Sequence, residues 1–110
     1  MKIAIATVGE KGLEDKVSYT FGRAETFTVV ETSKGKITNV KVLKNPAASY
    51  EYGAGPIVTR MLVEEGVQVV VAGEIGPGAS SILEHHKVKK MTVKAGTQVF
   101  AVIKKILEQK

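Results

Sequence analysis

Two short apolar segments predict the centre of a β-sheet. Residues 2–7 and 67–72 consist largely of Ile, Val and Ala and lack the regular polar alternation of a half-exposed strand. Continuous runs of this kind are typical of parallel strands that helices cover on both faces. The two segments are therefore predicted to be core strands of an α/β domain.

A hairpin is predicted between residues 26 and 43. Two β-branched segments, 26–32 and 36–43, flank Ser33-Lys34-Gly35, in which glycine suits a turn position with positive φ. The second segment carries lysines along its length, as does an edge strand that is protected against further pairing. A last strand is predicted over residues 88–94.

Apolar residues at helical spacing predict three helices. The first has Pro56 in its opening turn and ends at Gly66, since proline is favoured at the start of a helix and glycine at its end. A shorter helix is predicted over residues 79–87 and a last one after Thr97, whose side chain is expected to cap it. The predicted apolar faces contain Ile57, Val58, Met61 and Leu62, then Ile82, Leu83 and His86, and finally Val99, Val102, Ile103, Ile106 and Leu107.

The order of these elements predicts one mixed sheet. A strand, a hairpin and then alternating helices and strands give five strands in the order 3-2-1-4-5, with the second strand antiparallel and helices on both faces. No linker or internal repeat divides the 110 residues, and this length suits one domain. Residues 1–110 are therefore expected to form a single α/β domain.

Most glycines fall in loops that this topology places at one edge of the sheet. The carboxyl ends of the parallel strands meet there, and open α/β sheets bind ligands in the crevice outside these ends. The loops at this edge are Gly9–Gly12, Phe21–Ala24, Gly53–Gly55, Gly73–Gly78 and Ala95–Thr97. A composite ligand crevice is therefore predicted.

Two of these loops have the chemistry of an anion site. Gly73–Gly78 leads from a strand into a helix, whose first amides attract anions, although such a turn also needs glycine for its shape alone. It matches neither the phosphate-loop nor the dinucleotide motif, which argues against nucleotide hydrolysis. Arg23 is one of two arginines, and its guanidinium can bind a carboxylate or phosphate through two hydrogen bonds. The alternative for Arg23 is an ion pair with Glu25, Glu51 or Glu74.

Composition narrows the chemistry further. The chain has no cysteine, which excludes disulfides, thiolate nucleophiles and cysteine-ligated metal centres within it. His85 and His86 are expected at the far end of their helix, where cations stabilise the helix dipole, and not at a metal site. No combination of nucleophile, base and orienting residue is evident. A non-catalytic binding role is therefore favoured over a hydrolase with Glu74 as its base.

Charge and hydropathy define the expected surroundings. The net charge of +5 favours anionic partners, but the lysines lack the interleaved aromatic residues of a nucleic-acid surface. No apolar run has the length of a membrane span or of a signal peptide. The protein is expected to be cytoplasmic and to bind neither nucleic acid nor membrane.

Six segments carry a recognisable set of motifs: Met1–Ala6, Phe21–Ala24, Asn45-Pro46, Gly53–Gly55, Val69–Ala79 and Ala95–Thr97. In this order they resemble the dinitrogenase iron-molybdenum cofactor biosynthesis family, or NifX, NafY and NifB C-terminal-like domain. The resemblance covers nearly the whole chain. It implies a ribonuclease H-like, three-layer α/β/α fold and a non-catalytic protein that binds or carries an iron-sulfur or iron-molybdenum cofactor, in company with cofactor-assembly proteins.

The resemblance also implies the residues that frame the cofactor crevice: Phe21, Gly22, Arg23, Tyr52, Gly53, Gly55, Gly73, Gly76 and Pro77. Tyr52 stands where members that hold the cofactor often have a histidine. Because the chain also lacks cysteine, we expect Arg23, lysines and helix N-termini to hold an anionic cluster without direct bonds to its metal. The alternative function is a sensor or adaptor that binds a small anionic metabolite without metal.

Overall fold

Five strands and three α-helices make up the computed structural model, which describes residues 1–109. A short 3-10 helix over Gly12–Glu14 follows the first strand. The elements in chain order are β1 (Lys2–Thr7), β2 (Thr26–Ser33), β3 (Lys36–Lys44), α1 (Ala54–Glu64), β4 (Val69–Ala72), α2 (Pro77–His85), β5 (Lys89–Thr92) and α3 (Val99–Glu108).

The strands form one sheet in the order β3-β2-β1-β4-β5. Strand β2 runs antiparallel to both β1 and β3, whereas β4 runs parallel to β1 and β5. The predicted strand order and directions are confirmed. The carboxyl ends of β1, β3, β4 and β5 therefore share one edge of the sheet with the start of β2.

Side chains alternate between the two faces of the sheet and give the fold two cores. In β1, Ala4 and Ala6 face α1 and α2, while Ile3 and Ile5 face α3. The helices contribute Val58, Leu62 and Leu83 to the first core and Val99, Val102 and Ile103 to the second. Helices thus cover both faces, and the molecule has three layers with the sheet in the middle. Among the described residues, none of the helices is long and apolar enough to cross a membrane.

The hairpin between β2 and β3 is tighter than predicted. Its turn consists of Lys34 and Gly35, whose φ angles of 53° and 78° are both positive, and Ser33 belongs to β2. Strand β3 lies at the edge of the sheet, as its lysines indicate. Lys41 in this strand contacts the Glu65 carboxylate at 2.7 Å. The hydrogen bond from its ammonium group lowers the pKa of Glu65.

Some predicted details of the helices are wrong. Ile57 is 37% exposed, because the buried positions of α1 are Ala54, Val58, Thr59 and Leu62 and Ile57 lies beside them. His86 is exposed and follows the end of α2.

Thr97 does not cap α3. Its hydroxyl donates to the Lys94 carbonyl at 2.6 Å, and Gln98 occupies the N-cap position. Short local bonds of this kind compete with capping, and sequence alone does not decide between them.

Asp15 organises the loop between β1 and β2. This aspartate, the only one in the sequence, is 3% exposed. Its carboxylate accepts hydrogen bonds from the amides of Gly9 and Lys11, both at 3.1 Å, and of Lys16 at 2.7 Å. The backbone carbonyl of Asp15 also accepts from the amide of Val99 at 2.9 Å. The residue therefore connects the loop after β1 to the start of α3.

We predict that Asp15→Asn lowers the free energy of unfolding by about 1–3 kcal/mol, because an amide nitrogen replaces one of the two accepting oxygens in a buried site. Urea denaturation gives the measurement. Glu14→Gln is the matched control, since Glu14 is the exposed neighbour and its substitution should cost less than about 0.5 kcal/mol. Equal losses in the two variants would contradict this role of Asp15.

Candidate functional site

Three of the five glycine-bearing loops enclose a crevice at the carboxyl edge of the sheet. Its volume is about 340 Å³, which is at the lower end of the range for small-molecule sites. The walls come from residues 20–23 before β2, from Glu51 and residues 53–56 at the start of α1, and from Glu74, Gly76, Gly78 and Ala79 around the start of α2.

Both helices of one layer begin in this crevice. Helix α1 follows Gly53, whose φ of 79° is in the left-handed region, and α2 follows Gly76. In the described structure neither start has a capping side chain. Each first turn also contains a proline, so the amides that are left to bind a ligand are those of Ala54, Gly55, Gly78 and Ala79.

The two helix starts lie against each other. A Cβ atom at Gly55 would lie 3.4 Å from the Cβ of Ala79, and one at Gly78 would lie 3.9 Å from the Pro56 ring. Each helix N-terminus has the effect of about half a positive charge. Their contact therefore concentrates two partial positive charges and free amides on one wall, an arrangement suited to an anion.

Gly22 joins the loop before β2 to this wall. A Cβ atom at Gly22 would lie 2.7 Å from the backbone nitrogen of Gly55 and 3.0 Å from its Cα. No real side chain tolerates such distances, so glycine is required for this backbone approach. Gly73 has a comparable role behind the crevice, where its Cβ would lie 2.7 Å from the Cα of Tyr19.

Arg23 lines the crevice without an ion pair. Within residues 1–109 the ion pairs are Lys41–Glu65 and Lys90–Glu84, so Arg23 does not form the pair with a glutamate that was the alternative. A buried aromatic contact anchors the loop just before Arg23. Phe21 is 2% exposed, and its ring packs edge-on against Phe27 with 5.5 Å between centroids.

The crevice also contains negative charge. Glu51 and Glu74 are exposed and line its walls together with Arg23. One positive and two negative side chains give a formal charge of −1, which the two helix starts, at about +0.5 each, balance. An anion would therefore be held by directed donors, since the crevice has no large positive potential.

Of the nine residues predicted to frame the crevice, six line it: Phe21, Gly22, Arg23, Gly53, Gly55 and Gly76. Tyr52 is adjacent but 86% exposed, Gly73 packs behind the wall, and Pro77 is the exposed first residue of α2. A contribution of these three to binding stays a prediction.

The 95–97 loop pairs with the segment that follows the Gly9–Gly12 loop. Val17 and the 95–97 loop exchange backbone hydrogen bonds, from Val17 to the Thr97 carbonyl at 2.8 Å and from Gly96 to the Val17 carbonyl at 2.9 Å. A β-bridge joins Lys16 to Gln98. The loops around Gly9–Gly12 and Ala95–Thr97 lie at the predicted edge, but their polar backbone groups are used within the fold.

The described residues contain no group of three or more His, Cys, Asp or Glu side chains placed to hold a metal ion. His85 lies in the last turn of α2 and His86 follows it, with 5.1 Å between the ring centroids. This is the end of the helix opposite the crevice, as predicted.

Asn45 is a residue at the site whose role the sequence did not reveal. It follows β3 and is 8% exposed. Its side-chain amide donates to the carbonyls of Gly22 and Ala24, each at 2.8 Å, and its side-chain oxygen accepts from the amide of Ala47 at 2.8 Å. The Asn-Pro pair was part of the family motif, but only the tertiary structure shows what the side chain contacts.

Comparison with known proteins identifies the family. The family model described as dinitrogenase iron-molybdenum cofactor matches residues 1–109. A Methanocaldococcus jannaschii protein, described as uncharacterized, is 31% identical over 70 residues, which are 64% of this chain and 59% of that protein. The chain thus matches about three fifths of the length of this curated relative.

Solved structures share the fold over almost the whole chain. The apo form of the orange protein from Desulfovibrio gigas is 28% identical, with a TM-score of 0.87 over 97% of this chain and 87% of that one. A candidate NifB protein from Thermotoga is 35% identical, with a TM-score of 0.79 over 98% of this chain and 88% of that one.

We predict that Gly22→Ala destabilises the protein by about 1–3 kcal/mol, because the added methyl group displaces the loop from the first turn of α1. Gly76→Ala is the matched control: a Cβ atom there meets no heavy atom within 4 Å, and the φ of −69° is accessible to alanine. Thermal or urea unfolding of both variants provides the comparison. A Gly22→Ala variant as stable as Gly76→Ala would rule out the close contact.

Proposed function

Since the chain belongs to the dinitrogenase iron-molybdenum cofactor family, we propose that it binds an anionic cofactor of the iron-sulfur or iron-molybdenum class as cargo in this crevice. The observation that carries the proposal is the contact between two helix starts that, within residues 1–109, have no capping side chain, with Arg23 beside them and in no ion pair of that range. These groups supply a bidentate cation and four amide donors around one opening.

The donor atoms favour contacts with the outside of a cluster. Iron-sulfur clusters are held mainly by thiolates, and the sequence contains none. Among the described residues that line the open crevice, the carboxylates of Glu51 and Glu74 are only two potential ligands. Amides and a guanidinium donate hydrogen bonds and do not ligate metal. They therefore suit the anionic surface of a cluster whose metal ions already have their ligands.

The polar side chains of the crevice support a non-catalytic role. They are Thr20, Arg23, Glu51 and Glu74. In the described structure the Thr20 hydroxyl hydrogen-bonds to the Ser18 hydroxyl at 3.4 Å and not to a base that could activate it. Nucleophilic catalysis requires such a base within hydrogen-bond distance. In the proposed function, the protein receives and releases a cofactor as cargo. Its proposed partners are cofactor-assembly proteins.

A second candidate function is the binding of a small anionic metabolite without metal. The same four amides and Arg23 would bind a phosphate or carboxylate group, and a volume of about 340 Å³ admits a small molecule. The two functions differ in the ligand and share the contacts. Testing cofactors and simple anions against the same variants therefore separates them.

We predict that Arg23→Gln weakens binding of an anaerobically prepared iron-molybdenum cofactor about tenfold or more, since hydrogen bonds to charged groups contribute about 1.5–3 kcal/mol. Arg60→Gln is the matched control, because it removes the same charge from an exposed position of α1 outside the crevice. Amide NMR signals report the contact. Cofactor should shift Gly22–Ala24, Ala54, Gly55, Gly78 and Ala79 in the wild type.

Three results of this experiment lead to different conclusions. Cofactor shifts that disappear in Arg23→Gln but persist in Arg60→Gln support cargo binding. Shifts with phosphate or carboxylates but none with iron-sulfur or iron-molybdenum cofactors favour the metabolite sensor. If no ligand shifts these amides, or if both arginine variants lose affinity equally, the crevice is not the binding site.

We also predict that Glu74→Gln strengthens anion binding about two- to fivefold, because it removes a like charge at the crevice and exposed charges interact by less than about 1 kcal/mol. The matched control is Glu64→Gln, at the end of α1 away from the crevice. The anion's dissociation constant is measured for both variants. A hydrolase with Glu74 as its base would instead lose turnover in Glu74→Gln, and finding such a loss would overturn the non-catalytic function.

A further inference from the structure

We infer that Asn45 is the positioning residue that holds Arg23 at the mouth of the crevice. The part of this inference that concerns binding rests on the proposed function. The part that concerns the loop conformation rests on the hydrogen bonds of Asn45 alone.

The side-chain amide of Asn45 donates to the two carbonyls that flank Arg23. The distances to the carbonyl oxygens of Gly22 and Ala24 are both 2.8 Å, so both of its N–H groups are used. The Gly22 carbonyl belongs to the peptide unit directly before Arg23. The Ala24 carbonyl belongs to the second peptide unit after Arg23. Holding both restricts the backbone of Arg23, and with it the direction in which the guanidinium leaves the loop.

Other contacts hold the loop on both sides of Arg23, since Ala24 is buried in the first core. Gly22 rests on the first turn of α1 and Phe21 packs on Phe27, and both precede Arg23. After Arg23, the amide of Ala24 makes a long bond of 3.4 Å to the Phe21 carbonyl. The Asn45 side chain adds two shorter bonds of 2.8 Å, one on each side of Arg23.

Asparagine meets the chemical demands of this position. Aspartate would turn a carboxylate toward two carbonyl oxygens, and serine has a single proton to donate. Asn45 is itself fixed, because its side-chain oxygen accepts from Ala47 and its backbone amide donates to the Glu25 carbonyl at 3.2 Å. A residue held by these two bonds can hold a neighbouring loop in one conformation.

A pre-positioned arginine binds an anion more tightly than a mobile one, because less conformational entropy is lost on binding. Removing Asn45 should therefore weaken anion binding through Arg23, although Asn45 itself does not line the crevice. This indirect effect distinguishes a positioning residue from one that only stabilises the fold.

The first test uses the ligand-free protein. In the wild type, we expect slow hydrogen exchange of the Asn45 side-chain amide and ¹⁵N heteronuclear NOE values at Gly22–Ala24 like those of the helices. In Asn45→Ala, the NOE values at Gly22–Ala24 should fall while those at Gly9–Gly12 stay unchanged. A mobile Arg23 in the wild type, or an ordered one in Asn45→Ala, overturns the inference.

The second test is a double-mutant cycle with inorganic phosphate as the probe. Asn45→Ala should weaken phosphate binding about three- to tenfold, and in an Arg23→Gln background it should have no further effect. Asp15→Asn is the matched control, since it weakens another loop at the same edge of the sheet without touching the crevice. It should lose stability and keep its affinity for phosphate.

The results separate this inference from the proposed function. Full additivity of Asn45→Ala and Arg23→Gln, or equal loss of affinity in Asp15→Asn, shows that Asn45 acts on the fold in general and overturns its positioning role. If the wild type binds neither phosphate nor cofactor, the proposed function fails. The order of Gly22–Ala24 then decides the role of Asn45 by itself.

Discussion

The crevice depends on one contact, in which the backbone of Gly22 lies against the first turn of α1. The 2.7 Å distance from a Cβ at Gly22 to the Gly55 nitrogen leaves no room for a side chain. Because of this contact, the loop before β2 reaches the place where α1 and α2 begin, and Arg23 stands beside free amides. With any larger residue the loop would move away, and the arginine and the helix starts would lie apart.

The loops at this edge of the sheet differ in whether side chains or other segments pair with their polar backbone groups. Around Asp15, the loops after β1 and β5 satisfy their polar groups within the fold, through a buried carboxylate and a β-bridge. Around Gly53 and Gly76, the helix starts have no capping side chain in the described structure. Glycine at a cap position is only roughly a few tenths of a kcal/mol less favourable than a capping side chain, so both starts stay open at the place where the proposed ligand would supply the missing partners.

The sequence predicts the sheet well because its signals are local. The apolar runs of β1 and β4 and the glycine at the hairpin turn each report on their own segment, and the topology rules then leave few arrangements. Pro56 lies in the first turn of α1, as predicted. The predicted cap of α3 was wrong because several residues compete for that position, and Thr97 bonds to a nearby carbonyl instead.

The site was predicted as a set of loops but not as a set of contacts. Gly22, Gly55 and Gly73 look alike in sequence, yet Gly55 lines the crevice, Gly73 packs behind it against Tyr19, and Gly22 lines the crevice while its backbone packs against Gly55. The role of Asn45 was also hidden, because its partners are 21 and 23 residues away along the chain. Periodicity and composition report which face of an element is buried, but a close backbone approach between distant segments has no local signal.

The charges of the protein suggest how attraction and selectivity are separated. The chain carries +5 in total, whereas the crevice itself is close to neutral when Arg23, Glu51, Glu74 and the helix dipoles are summed. A net positive chain attracts anions over a Debye length of about 8 Å at physiological salt. Inside the crevice, net charge alone would contribute little binding energy to an anion, because Glu51 and Glu74 repel it. In the proposed function, only an anion whose acceptor atoms match the directions of the amides and of Arg23 would gain enough binding energy to stay, so geometry, more than net charge, would select the ligand.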